Sequence, residues 1–304
     1  MATARVDGVE LYYELAGTGP PLVLVHGSWV DHRSWDAVTP GLAESFQVLR
    51  YDRRGHSRSE RPQGQGSIRE DVADLAALIE HADLAPAYVA GNSWGASITL
   101  RLAGERPELL RGLIAHEPPL LALLSDDLAS RKLLEEASVR IAAVVELLEA
   151  GDHEEGARRF VETVALGPEA WDQLPPGLRE AFVFNAPTYL DECRDPEQLT
   201  IDMRLLASFP HPAQLSNGSE SPPFFPRVVK LVAAALPRGR HLTFSGAGHV
   251  PQLSHPDAYV ESVRAFPHDR AERDRTRGGI GRARGTAWKT ASSAASRSPS
   301  ACRR

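Results

Sequence analysis

Ser93 stands between Gly91 and Gly95 in the stretch AYVAG-NSWG-ASITL, where a short apolar run breaks at a tight turn and a helical pattern follows. A serine hydroxyl is a weak nucleophile at neutral pH, and most serines beside glycines are turn residues. The G-x-S-x-G pattern gains meaning from its setting. A strand-to-helix turn this sharp needs nearly side-chain-free flanks, lifts the serine at the strand's carboxyl end, and aims the helix N–H groups at it. A nucleophilic serine also needs a general base. Of eleven histidines, His249 lies in SGAGHVPQLSHPDAY, just after a predicted strand and before the last helix, at the same edge. His255 is its rival, but His-Pro-Asp reads as a helix start with Pro256 at the first position. His26 and His56 fall in loops at that edge and read as residues that hold those loops. Acyl transfer further requires donors for a developing oxyanion, worth roughly 3–4 kcal/mol each. The backbone N–H of Trp94 is one, and that of Ser28, in the loop after LVLVHG, is the second.

These residues need a scaffold that delivers them to one place. Residues 4–16 alternate around a glycine turn and predict a β-hairpin. PPLVLVHG, 20–27, reads as a strand buried on both faces. HRSWDAVTPGLAESF suggests a short helix, FQVLRYD a strand, and Ile68, Val72, Leu75 and Ile79 one face of another helix. AYVAG and LRGLIAHE are further strands, with a helix between them. Strands alternating with helices indicate βαβ units and a parallel sheet, whose functional loops collect at the strands' carboxyl ends. From Pro118 to Ser208 the runs are helical only, such as ASRKLLEEASVRIAAVVELLEAG, and read as a cap over those ends. The β/α rhythm resumes with HPAQLSNG (a weak strand), FPRVVKLVAAALP, RHLTFSG and HPDAYVESVRAF.

The segments HGSW (26–29), YDRRGHSRS (51–59), GNSWG (91–95) and GHVPQLSHP (248–256), in this order and spacing, resemble the α/β-hydrolase fold. The resemblance covers residues 1–266. It implies an α/β-hydrolase fold with a mostly parallel eight-stranded sheet flanked by helices, a core of 1–117 and 209–266, and an all-helical cap insertion over 118–208. It also implies a Ser-His-acid triad, no metal and no cofactor. Asp52 and Arg54 match positions with structural roles. Trp171, Phe182, Phe184 and Tyr189 of the cap either line a pocket or form the cap's own core, and core is the preferred reading of each.

The acid is the open point. Relatives commonly carry it in a turn reading Gly-x-x-Asp. Here that turn is Gly218-Ser219-Glu220-Ser221, so serine holds the expected position and the carboxylate comes one residue early. Glu117, ending LRGLIAHE on the strand after the nucleophile's, is the preferred acid. Glu220 is the alternative, with Asp191 of the cap behind it, and the bland reading of Glu117 is a carboxylate bonded to a cap loop.

Serine, rather than the aspartate of relatives resembling epoxide hydrolases and haloalkane dehalogenases, suits attack on a carbonyl. The expected function is therefore hydrolysis of a carboxylic ester or lactone of a small to medium, partly apolar molecule. The EPP run at 117–119 resembles that of lactone hydrolases acting on zearalenone-type macrocycles. A haloperoxidase-like perhydrolase, a C–C bond hydrolase and a ligand-binding protein that kept the fold remain alternatives. Two cysteines, Cys193 and Cys302, make neither a disulfide framework nor a metal site. No leader or membrane span is read, and a cytoplasmic location is expected. The net charge of −6 divides unevenly: residues 267–304 hold ten Lys/Arg and three Asp/Glu, or +7, leaving −13 on 1–266. That stretch reads as a disordered basic tail, and an acidic body argues against a nucleic-acid partner.

Overall fold

A computed structural model describes residues 1–266, which form one compact unit; the expected basic tail, 267–304, lies outside the described residues. Strands β1 (Ala2–Val6) and β2 (Val9–Ala16) pair antiparallel around Asp7-Gly8. Both turn residues have positive φ (45° and 80°), the requirement of a turn whose twist matches its strands. β3 (Pro21–Val25), β4 (Gln47–Tyr51), β5 (Ala87–Asn92), β6 (Leu110–His116), β7 (Ala213–Gly218) and β8 (Gly239–Phe244) complete one eight-stranded sheet of order β1-β2-β4-β3-β5-β6-β7-β8. All pairings beyond β2 and β4 are parallel, as the βαβ reading requires.

Helices cover both faces. They are α1 (Thr39–Ala43), α2 (Ile68–His81), α3 (Trp94–Glu105), α4 (Arg131–Glu149), α5 (His153–Phe160), α6 (Ala170–Gln173), α7 (Pro176–Arg194), α8 (Met203–Ala207), α9 (Phe224–Ala235), α10 (Pro251–Ser254) and a last helical run at 256–266. β3 shows why its sequence lacks polar alternation. Val23 and Val25 join the core packed by α2, α3 and α9, whereas Leu22 and Leu24 join the opposite core with Trp35, Leu42, Tyr259 and Val263. The helix expected over 32–46 is instead a 3₁₀ turn (His32–Trp35) followed by α1. Pro40 has no N–H to extend the first segment and sits in the opening turn of the second.

β7 is polar in sequence yet buried along its whole length. Its polar groups are paired inside the sheet. Gln214 accepts from Arg240 and donates to Ser262 Oγ, Ser216 Oγ meets His116 Nδ1 at 3.0 Å, and Asn217 Oδ1 meets His241 Nε2 at 2.6 Å. A buried polar group is tolerated when so paired.

Residues 118–208 hold helices and single turns with no strand. Trp171, Phe182 and Tyr189 pack with Val144, Leu148 and Val161 as this segment's own core. Phe184 departs from the expectation: it is 60% exposed, beneath the Arg61 guanidinium. Into that same core comes Trp29, from the loop after β3, fully buried between Phe160, Phe182 and Tyr189. Among the described residues no helix is long and apolar enough to cross a membrane.

Candidate active site

β5 ends at Asn92 and α3 starts at Trp94, leaving Ser93 to make the whole reversal at φ 56°, ψ −121°. For a residue with a Cβ this is strained backbone, and such strain gathers where surrounding structure over-determines it. The surroundings here do so. Ser93 N donates to the carbonyl of His116 on the neighbouring strand at 2.9 Å. A Cβ on Gly91 would lie 2.2 Å from the Gly95 carbonyl oxygen, and one on Gly95 would lie 2.2 Å from that of Val25. Only glycine fits either position. Gly27 likewise faces the elbow, since its Cβ would come within 3.2 Å of the Asn92 carbonyl and of Ser93 Cβ. The loop carrying Ser28 therefore runs against the serine, while the Trp94 indole donates to Asp71 Oδ2 at 3.0 Å.

β6 delivers Glu117 one strand over, and the loop after β8 delivers His249. The Glu117 carboxylate is fully buried and bridges two groups: Oε2 lies 2.6 Å from His249 Nδ1, and Oε1 accepts from Gly218 N at 2.8 Å. Burial alone would raise its pKa. The bond and charge of His249, with His116 and the neighbouring Ser221 hydroxyl, outweigh burial and hold the carboxyl below its usual value. Like Ser93, Glu117 has positive φ (46°), and its N–H continues the sheet ladder to Ser216 O at 3.0 Å. The His249 ring stacks on Phe225 of α9, centroids 4.8 Å apart and planes 22° apart. Gly218 closes this corner, because a Cβ there would sit 2.2 Å from the Ala247 carbonyl oxygen.

The elbow and the histidine loop are tied directly. Asn92 Nδ2 donates to the His249 carbonyl at 2.9 Å, and Asn92 Oδ1 accepts from Gln252 Nε2 at 3.2 Å.

The other candidates lie elsewhere. Glu220 is exposed and its carboxylate accepts from Ser219 Oγ at 3.0 Å. Asp191, on α7, lies beside Gly66 and Arg61. His255 caps α10 and meets Ser254. His26 and His56 hold loops, as read from sequence. His26 Nε2 accepts from Arg53 N at 3.0 Å while Nδ1 meets Gly27 O at 2.8 Å, and His56 Nε2 meets Thr188 Oγ1 at 3.0 Å. Asp52 accepts from His32 and from Arg58 N, and Arg54 pairs with Asp74 and Glu70. Asp31, His32 and Asp52 bring possible metal-ligand atoms within 4.8 Å of one another. Yet Asp31 is engaged by Arg33 and Ser57 and His32 by Asp52, so this donor set fits loop pins better than an ion. Sequence reasoning missed Asn92, Phe225 and the Gly218 N–H. Only Asn92 had a signal, its place inside the G-x-S-x-G turn.

Comparison with known proteins agrees with this architecture. Residues 22–262 match the model of the alpha/beta hydrolase family. The chain is 26% identical to the zearalenone hydrolase of Bionectria ochroleuca over 266 residues, covering 84% of this chain and 93% of that protein. It is 42% identical to the uncharacterized hydrolase YraK of Bacillus subtilis over 124 residues, 40% of this chain, and so spans less than half (46%) of that relative's length. Among solved structures, the enol-lactonase of Burkholderia xenovorans LB400 superposes with a TM-score of 0.72 at 21% identity, over 88% of this chain and all of that one. A mostly parallel eight-stranded sheet, a strained serine elbow and a family match over most of the chain lead to one statement: this protein belongs to the alpha/beta hydrolase family.

Proposed function

We propose that the protein is a serine hydrolase that cleaves a carboxylic ester or lactone through an acyl-enzyme on Ser93. The observation that carries this reading is the buried Glu117–His249 pair, joined through Asn92 to the serine elbow. With Nδ1–H given to Glu117, the imidazole keeps Nε2 as its acceptor. Ser93 Oγ attacks the carbonyl carbon as its proton passes to Nε2. The tetrahedral oxyanion is met by the N–H groups of Ser28 and Trp94. The C–O bond then breaks, and the imidazolium returns its proton to the departing alkoxide. Water attacks the acyl-enzyme by the same route, releasing the acid and restoring Ser93. Glu117 keeps the ring oriented and stabilises its cationic form. From a lactone the alkoxide stays tethered, so the product is a single hydroxy acid. None of these steps calls for a metal or cofactor.

Serine at the elbow favours a carbonyl target. The likeness to zearalenone hydrolase over nearly its full length supports a lactone within that class. The helical segment suits a small to medium, partly apolar molecule. The test is turnover of p-nitrophenyl esters, lactones and aromatic ring-cleavage products by the full chain, alongside labelling by a fluorophosphonate. Ester or lactone turnover, lost together with labelling in Ser93→Ala, is expected. Labelling without turnover would instead indicate a binding protein, and wild-type protein that resists labelling would end the serine reading.

A further inference from the structure

α7 turns a buried polar stripe toward the sheet's loops, with Asn185, Thr188 and Glu192 at helical spacing. Its members touch two of these loops, and the Glu192 carboxylate also bonds the Ser28 side chain. Thr188 meets His56, and Glu192 pairs with the buried Arg53, both on the loop after β4. Asn185, with no exposed surface, reaches the loop after β3 as well. Its Nδ2 donates to the carbonyl of Trp29 at 3.0 Å and lies 3.3 Å from that of Val30, while its Oδ1 accepts from Ser57 N at 2.8 Å.

The residue so held is an unusual one. Trp29 has φ 70°, and Val30 N donates to Ser28 O at 2.9 Å, closing a three-residue turn around it. A turn of this hand is rare and strained for a residue with a side chain, and such strain costs about 1–3 kcal/mol, so it persists only where neighbours enforce it. Two neighbours do. The indole is wedged into the core of 118–208, and the carbonyl is held by Asn185. On the other side of Ser28, Gly27 abuts Ser93. The Ser28 peptide is thus suspended between the elbow and a turn whose geometry the helical segment dictates.

We propose that Asn185 is a positioning residue for the oxyanion: by holding the Trp29 carbonyl it fixes the direction of the Ser28 N–H. This rests on the serine-hydrolase reading above. Its consequence is that the helical segment does more than enclose substrate. The transition state, which needs the Ser28 donor, is stabilised fully only while α7 is docked, whereas ground-state binding asks little of that N–H.

The test uses the full chain with Asn185→Asp, which keeps the Ser57 contact but removes the donor to Trp29, and with Asn185→Ala. Thr188→Val, which removes a hydroxyl bonded to His56 and to the Asn185 main-chain carbonyl but leaves the Asn185 amide to hold Trp29, is the control for docking. Activity is counted per fluorophosphonate-labelled site. Both Asn185 variants should lose about 10- to 100-fold in kcat, a fraction of what removal of an oxyanion donor costs, with KM within about twofold. Inhibition by a phenyl trifluoromethyl ketone, whose hemiketal oxyanion uses the same donors, should weaken by the same factor as kcat. Thr188→Val should keep both. Asn185 variants that hold kcat within twofold overturn the proposal. So does equal loss in Thr188→Val, or failure of both Asn185 variants to fold, since either assigns Asn185 to docking alone. A wild-type protein that neither labels nor turns over ester or lactone fails earlier, at the serine reading itself.

Discussion

Asn92, one residue before the elbow serine, carries on its side chain the backbone of the histidine 157 positions later: Nδ2 to His249 O, 2.9 Å. Two ends of the site that share no strand are thereby held in one frame. Asn92→Ala should leave that carbonyl and Gln252 without their partner, costing about 1–3 kcal/mol of stability, and should lower kcat further as the imidazole loses its placement. Urea unfolding with kcat on a chromogenic ester measures both. Unchanged stability and rate would show the contact to be incidental.

Glu117→Gln retains shape but removes the charge that faces His249 Nδ1. A loss of roughly 10⁴-fold in kcat is expected, the cost of losing a triad's acid. Glu220→Gln, at an exposed carboxylate bonded to Ser219, should change kcat little. The reverse ranking would move the acid to Glu220.

Ser93→Ala and His249→Ala should each abolish turnover. Ser93→Ala should leave the melting temperature nearly unchanged, whereas His249→Ala should lower it, because it strips the buried Glu117 carboxylate of its partner and Phe225 of its stacked ring. Members of one catalytic unit act non-additively, so the double variant should be scarcely worse than either single one. A double variant slower by the product of the two single losses would dissolve the unit.

Three buried imidazoles set a pH limit on the fold: His56, which burial and the Arg53 charge push well below its ordinary value, together with His26 and His116. Burial, reinforced for His26 by the Arg53 charge, brings its pKa down to about 4; burial does the same for His116, to about 4. All three folded values lie below the unfolded value near 6.5. The unfolded chain therefore takes up protons first, and stability falls as pH drops from about 6.5 toward 4. By pH 5 the loss is about 2 kcal/mol for each of His26 and His116. His116→Asn, which cannot titrate, should flatten the decline of urea stability between pH 7 and 5 by about that amount. Parallel slopes for the two proteins would refute the assignment.

The sheet and the elbow were legible because their causes are local. Asp7-Gly8 states its turn, the β3 run states burial on both faces, and Gly91 and Gly95 state a turn too tight for a Cβ. Glu117 could be placed by its strand end and preferred on that ground, but Glu220 stayed open, since nothing local separates a carboxylate that meets His249 from one that meets Ser219. β7 read as weak because its polar side chains find partners only across the assembled sheet. Phe184 reads like its aromatic neighbours on α7, and only the packed helix shows it facing outward. Asn185 is invisible in sequence, and Asn92 shows only its place in the elbow turn and not its partner, for the same reason: each acts on a carbonyl more than 150 positions away.

The sheet closes over the helical segment with His116 paired to Ser216, one hundred positions apart. The entropy of closing so long a connection grows only logarithmically, about 0.6 kcal/mol for each doubling. The parallel ladder is therefore nearly indifferent to how much chain is threaded between β6 and β7. Segments of quite different size could be grafted at this joint with the strands still finding their register. Glu117, the first residue past β6, would have to stay with the sheet, because its N–H belongs to Ser216. The incoming segment would have to supply two things of its own: a socket for the Trp29 indole and an amide for the Trp29 carbonyl.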